Sequence, residues 1–257
     1  MGKDIMLCAP DNALISFGAG QNSTAMTILL VNEGWRGPIV FADTGCEWPD
    51  TYAYMDTFER EWLAPRGLEI TRLGEAYRAQ VPGRDTRSLI HFCEDYATTP
   101  FPATRWCTQG WKTDPINHWA KAQHIETQLI GIAADEAHRQ KGRACPLCDR
   151  DITRQGCIDI IRAEGLDVPQ KSGCWICPFQ RAEQWRELWR RYPELYERAA
   201  RLEELSTARR GGVVTMLDPS QRYTLRQRQV MFDQQTTMFD DDELDALLIY
   251  KPCLCGA

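Results

Sequence analysis

Apolar positions follow two rhythms along the first half of this chain. Short apolar runs at Asn12–Phe17, Pro38–Asp43, Leu68–Leu73 and Gln128–Ile132 read as strands. Between them lie stretches with helical spacing. Ala25–Val31 is apolar, with Ser23 or Thr24 as the predicted cap and Gly34 as the stop. Pro49 opens a helix reaching about Leu63, with Tyr54, Phe58 and Trp62 on one face. Pro115–Ala122 and Asp151–Glu164 read as further helices, the second carrying Ile152, Ile158 and Ile161. Strands alternating with helices predict an α/β fold with a parallel sheet and right-handed crossovers.

Elsewhere the pattern changes. Glu75–Ala103 is mixed in polarity and proline-bearing, and reads as a long irregular excursion over a site. Glu183–Tyr192 and Pro193–Leu205 read as Arg- and Glu-rich helices, broken by Gly211-Gly212. Val213–Leu217 is a candidate edge strand and Met238–Tyr250 an acidic final helix. The division expected is a nucleotide-binding α/β domain over 1–140, then a Cys-rich, mainly helical region over 141–257 packed on the same site.

The organising stretch is Ile15–Leu30 (ISFGAGQNSTAMTILL), a strand, a glycine turn and a helix start. Gly18 and Gly20 allow positive φ and close backbone approach. Unpaired amides at a helix start favour an anion, so the turn reads as a cradle for phosphate or sulfate, or as a tight turn with no ligand. It is neither the GxGxxG fingerprint nor a Walker loop. Asp43-Thr44-Gly45 ends the second strand, where open α/β sheets bind ligands. Asp135 and Glu136, followed by Arg139, end another strand; they fit a polar site or an ordinary helix-start charge pair.

The chain has 257 residues and a net charge of −6, which argues against an overall polyanion-binding surface. The charge is uneven. Pro178–Arg228 carries 11 Arg against 7 acidic residues, together with Trp185, Trp189, Tyr192, Tyr196 and Tyr223. Such a segment is a solvated helical face or a nucleic-acid surface. No apolar run is long enough to cross a bilayer and no leader pattern is evident, so a cytoplasmic protein is expected. Its 11 Cys then read as thiols or metal ligands. Cys174-Trp175-Ile176-Cys177 is a metal or redox knuckle, and Cys145–Cys148 a second CxxC. Together they would suit a four-Cys zinc site; Cys107, Cys253 and Cys255 are competing ligands, and an iron–sulfur cluster draws on the same chemistry. Cys8, Cys46, Cys93 and Cys157 read as buried small hydrophobes.

Several motifs in order resemble the PAPS reductase-like branch of the PP-loop adenine nucleotide alpha-hydrolase superfamily. They are SFGAGQNS, FADTGCEWPDTY, RWCTQGWKTDPI, IGIAADEAHR, SGCWICPF and the terminal CLCGA. The resemblance implies a parallel-sheet PP-loop sandwich with a helical, Cys-rich C-terminal part. It implies that Ser16, Gly18, Gly20, Gln21, Asn22 and Ser23 cradle the phosphate or sulfate of ATP, APS or PAPS. Asp43 and Asp135 would serve the nucleotide, and Lys112 and Arg139 the leaving group. Cys107, Cys174 and Cys177 would be ligands of a 4Fe-4S cluster and Cys255 the nucleophile; the fourth cluster ligand is expected from Cys253 or Cys255. Asn22 stands where ATP-splitting relatives carry Asp, and Trp106 where cluster-bearing reductases carry a Cys.

Three functions compete at this level. One is a sulfonucleotide-reductase-like enzyme using a thiol or electron donor. Another is an ATP-dependent sulfur transferase acting on tRNA or DNA. The third is a zinc-stapled nucleotide-binding module without catalysis. A homodimer and no membrane partner complete the expectation.

Overall fold

A computed structural model describes residues 12–81, 83, 85–217 and 223–234. Four strands, β1 (Ala13–Ser16), β2 (Ile39–Phe41), β3 (Ile70–Arg72) and β4 (Thr127–Ile130), form one all-parallel sheet in the order β3-β2-β1-β4. Ile15 lies opposite Ile39 and Leu129, and Ile39 opposite Ile70. Each strand is shorter than its apolar run, because the run's ends turn into loops that make other bonds.

Alternate strand residues feed two cores, as a strand's period of two requires. Ala13, Ile15, Ile39, Phe41 and Leu129 face one cluster; Leu14, Val40 and Ala42 face another with Ile116 and Ala120. Both faces are thus covered, which is why β1 reads as a continuous apolar run. Helix α1 (Gln21–Asn32) and α2 (Pro49–Phe58) supply the first face. Beyond α2 the chain continues as a π-turn, Glu59–Leu63, with Phe58 stacked on Trp62 at 5.3 Å. Gly34 at φ +99° closes the end of α1.

The Glu75–Ala103 segment is more ordered than its composition predicts. It holds α3 (Glu75–Arg78) and α4 (Leu89–Asp95), capped by Ser88. Leu89, Ile90 and Cys93 are fully buried, so this part of the segment is core and not a free lid. Next come α5 (Trp106–Thr108), the π-turn Gln109–Thr113, and α6 (Asp114–Ala122), which covers the second sheet face.

After β4 the chain makes a 3₁₀ turn, Ala134–Arg139, then α7 (Pro146–Asp149) and α8 (Arg154–Ala163). Core membership runs past residue 140: Leu147, Cys157 and Ile161 join the first cluster, with α8 packed along α1. Helices α9 (Ala182–Arg191), α10 (Pro193–Arg210) and α11 (Leu225–Gln234) build a separate cluster with Trp48, Leu89, Trp111 and Trp175. Helix α11 lies in a stretch whose pattern gave no expectation.

Val213–Leu217 is not a strand. The buried carboxylate of Glu203 accepts the amides of Met216 (2.5 Å) and Leu225 (2.6 Å), so this segment's donors go to a side chain and not to a sheet edge. The expected helix at Met238–Tyr250 lies outside the described residues.

Candidate functional site

Strand order changes direction at β1, with β2 and β3 to one side and β4 to the other. Loops from neighbouring strands diverge there, leaving a crevice beyond their carboxyl ends. It is a cavity of about 410 Å³ lined by the Ser16–Ser23 turn, by Gly131, and by Lys112, Glu136, Arg139, Arg154, Lys171 and Ser172. Of the expected nucleotide residues, Ser16, Gly18, Gly20, Gln21, Asn22 and Ser23 all line it.

The turn works differently from the sequence expectation. Gly20 is the N-cap of α1, with extended backbone at φ −108°. Ser23 sits one turn in: its hydroxyl donates to the Gly20 carbonyl (2.9 Å) and accepts the Gly20 amide (3.2 Å). The positive φ falls on Ala19, at +52°, and not on either glycine. A left-handed alanine costs about 1–2 kcal/mol, held here by a fully packed site, since Ala19 is buried. Any side chain at position 20 would force Ser172 to move. A Cβ there would stand 2.5 Å from the Ser172 hydroxyl. The first-turn amides of α1 have no intrahelical acceptors and open on the cavity.

Opposite them stands a charged lattice around Glu136, which is 5% exposed. Asn22 donates to it at 3.1 Å, Arg139 at 2.9 Å, and Arg154 pairs with it at 3.4 Å. Gln21 donates to the Arg154 carbonyl at 2.6 Å, tying α1 to α8. Asp135 turns the other way. It accepts the Arg154 amide at 3.0 Å and does not line the cavity. Asp43 also stays out of the lining: its carboxylate accepts the Gly45 amide (2.8 Å) and the Tyr52 hydroxyl (2.6 Å), shaping the loop after β2.

Lys112 connects the cavity to the thiols. It donates to Glu47 at 2.8 Å, and the Glu47 side chain is almost fully buried. The same Glu47 oxygen accepts from Thr44 (3.2 Å) and from the Cys174 thiol (3.5 Å). Burial works against the charge on Lys112, yet Glu47 and then Cys174 hold its pKa above the usual lysine value. Burial, with Glu47 adding, pushes the Cys174 thiol well above the usual thiol range. Cys177 and Cys107 are also raised, chiefly by burial; the charge of Cys107 adds to the shift at Cys177, and Lys112 works against it at both.

The turn bearing Cys174 and Cys177 is stitched to the loop after β2. Glu47 and Cys174 form an antiparallel bridge, Trp175 donates to the Cys46 carbonyl (2.8 Å), and Trp48 to the Gly173 carbonyl (3.1 Å). Cys107, Cys174 and Cys177 therefore gather around Lys112. Among the described residues, however, no group of three or more His, Cys, Asp or Glu is arranged to hold a metal ion. Cys174 is engaged with Glu47 and Thr44, so the thiols as they stand do not fit a metal. Cys253, Cys255 and Cys8 lie outside the described residues.

Cys145 and Cys148 stand apart from that group. Cys148 donates to the Ile132 carbonyl at 3.2 Å, and the charges acting on it are those of Asp149, Glu136 and Asp135. The two CxxC pairs do not combine into a four-thiolate site among the described residues. Cys46, Cys93 and Cys157 are fully buried, as expected of small hydrophobes.

Four of the five aromatic residues named in the basic segment serve packing, and Tyr223 is exposed. Trp185 and Tyr196 are buried, Tyr192 packs edge-on against Trp48, and Trp189 lies against Phe232. Several of its arginines are paired: Arg191 with Asp50 and Glu187, Arg198 with Glu94, Arg226 with Glu197 and Glu204. No helix among the described residues is long and apolar enough to cross a membrane.

An open parallel sheet, a glycine turn at a helix start and a cationic crevice at the switch point define an α/β fold of the kind that binds nucleotides. The chain belongs to the phosphoadenosine phosphosulfate reductase domain family, whose model matches residues 12–155, more than half its length. That places it in the PP-loop adenine nucleotide alpha-hydrolase superfamily, whose members bind adenine nucleotides. No curated protein matches the chain. Glu136 was legible as one of two carboxylates at a strand end; the lining residues that sequence reasoning missed are Arg154, Lys171 and Ser172, and the last two lie beyond the family match.

Proposed function

We propose that the crevice holds the phosphate or sulfate end of an adenine nucleotide, and that the chain acts there as a sulfonucleotide-reductase-like enzyme. One observation carries this reading: the α1 amides, Lys112 and Arg139 converge on one cavity, with cysteine thiols directly behind Lys112. In the reaction a thiolate, assigned to Cys255, attacks the sulfur of the sulfonucleotide. The sulfur–oxygen bond to phosphate breaks, and its electron pair leaves on the nucleotide phosphate. Lys112 and Arg139 neutralise that added charge. The enzyme thiosulfonate is then reduced by an external thiol, which forms a disulfide and releases sulfite.

The ATP-splitting alternative finds less support. Glu136, the carboxylate lining this cavity, is already engaged by Asn22, Arg139 and Arg154. A 4Fe-4S cluster or a zinc ion at Cys107, Cys174 and Cys177 would need Cys174 to leave Glu47 and Cys253 to supply a fourth donor. No step above is routed through either.

The test is calorimetric titration with AMP, ATP and adenylyl sulfate. Wild type is expected to bind. Gly20→Val, which drives a side chain into Ser172, is expected to abolish binding, and Arg139→Met to weaken it. Unchanged affinity in both variants, with circular dichroism intact, would refute the site.

A further inference from the structure

Beside the nucleotide crevice runs a second, larger groove of about 840 Å³. It shares Ser16, Lys112 and Arg139 with the crevice, so the two are continuous. One wall is the segment from Thr104 to Asn117. The other is β4, the edge strand, with the segment from Arg139 to Ala144 laid along its outer side through the Ile130 amide and the Ala144 carbonyl (2.9 Å).

The groove's charge is one-sided. Arg105, Lys112, Arg139, Lys141 and Arg143 line it, against the single carboxylate Glu126. Lys112 and Arg139 already have Glu47 and Glu136. Arg105, Lys141 and Arg143 have no ion-pair partner among the described residues, on a chain that is acidic overall. Arg105 stands at the groove wall with its guanidinium over the Phe179 ring, 5.7 Å from the centroid. Its Nε is buried and has no hydrogen-bond partner, and its backbone is left-handed at φ +47°. Lys141, on the facing wall, is left-handed too, at φ +46°. Non-glycine residues rarely adopt this conformation, and a buried donor without an acceptor costs about 1–3 kcal/mol. A phosphate group between the walls would draw on the guanidinium charge of Arg105, on Lys141 and on Arg143 together.

We infer that this groove is a second binding site, for a phosphate-ester ligand whose near end reaches Lys112 and Arg139. No aromatic ring lines it, so it reads phosphate charge and not stacked bases. The occupant is therefore multiply charged, either a strand of nucleic acid held by its backbone or a small polyphosphorylated molecule. The unpaired charge stands whatever the crevice binds; only the ligand's role as reaction partner rests on the function proposed above.

The experiment uses the full chain with two probes, a fluorescent single-stranded octanucleotide and inorganic tripolyphosphate, each titrated with and without saturating ATP. The tested variant is Lys141→Glu/Arg143→Glu. Both residues are exposed and line the groove alone, so ATP affinity and circular dichroism serve as folding controls. A control of equal charge change is Arg201→Glu/Arg210→Glu on α10. Wild type is expected to bind at least one probe in the presence of ATP. For the octanucleotide, three phosphate contacts give a log–log salt slope of about −2. The groove variant is expected to bind about tenfold more weakly or worse, with a slope nearer −1, while the α10 variant behaves as wild type. Octanucleotide binding alone identifies a nucleic-acid strand; equal competition by tripolyphosphate identifies a small ligand. Binding of neither probe, or equal weakening by both variants, overturns the site. If ATP fails to bind but the groove variant still loses the probe, the nucleotide reading falls and the groove stands.

Discussion

Gly131→Ala would test how closely the sheet and the anion cradle are fitted. Gly131 follows β4 and faces the first turn of α1. A Cβ built there lies 2.8 Å from both the Cα and the N of Ser23, and 2.9 Å from the Asn22 carbonyl carbon. All three are backbone atoms, so no rotamer change relieves the contact. Ordinary contact begins near 3.4 Å, so strand and helix must part by roughly 0.6 Å. Helix α1 cannot yield freely, because its other side is packed along α8 and buried in the core. Overpacking of this kind costs about 1–3 kcal/mol, against about 0.4–1 kcal/mol regained by stiffening the unfolded chain. The net loss is about 1–2 kcal/mol, a fall in Tm of about 2–8 °C for a chain of this size. Because the displaced atoms belong to the amides of the cradle, nucleotide affinity is expected to fall as well, by about tenfold. The assay is thermal unfolding by circular dichroism, then calorimetry with ATP well below the new Tm. Gly110→Ala, with nothing within 4 Å of its Cβ, is the control and should leave both quantities unchanged or slightly raise Tm. A Gly131→Ala protein indistinguishable from wild type in Tm and affinity would refute the reasoning.

Two further outcomes follow from buried charge. Lys112→Met strands the buried Glu47 carboxylate and is expected to cost about 1–3 kcal/mol in urea unfolding, the half-exposed lysine end moderating the loss. Adding Glu47→Leu should recover most of it; an additive double variant would show that the pair is not coupled. Glu164 accepts from Trp62 (2.9 Å) and Asn32 (2.8 Å), and those bonds hold its carboxyl below the usual value of 4.5. Its native pKa is depressed, so its contribution is present above the unfolded value near 4.5 and is lost as pH falls through the native one. Glu164→Gln should therefore flatten that part of the stability–pH curve, followed by urea unfolding with circular dichroism at each pH; an unchanged acid limb would count against it.

Much of the α/β half was legible because buried parallel strands leave continuous apolar runs, as at Ala13–Ser16 and Ile39–Phe41. The glycine turn that lines the crevice was legible from its glycines, but for a partly mistaken reason. Backbone freedom was expected at Gly18 and Gly20, whereas Ala19 takes the left-handed turn and Gly20 makes room for Ser172, a contact no local pattern reveals. Asp43 and Asp135 carried the right chemistry at strand ends, yet the Gly45 and Arg154 amides claim their carboxylates. Periodicity failed at Glu75–Ala103, because a helix as short as Leu89–Asp95 shows too few turns to establish a period. The basic aromatic segment could not be read, since a ring that stacks on a base and one that fills a core look alike in sequence.

The bridge between Glu47 and Cys174 bears on how the protein is made. Its partners are 127 positions apart, so the contact has no local nucleus and its closure entropy must be offset by structure already formed. During synthesis the sheet and α8 can assemble first, while the wall bearing Lys171 and Ser172 has yet to leave the ribosome. The crevice would then be among the last features to close. A chain truncated at residue 168, just past α8, should keep its strands but never complete the pocket.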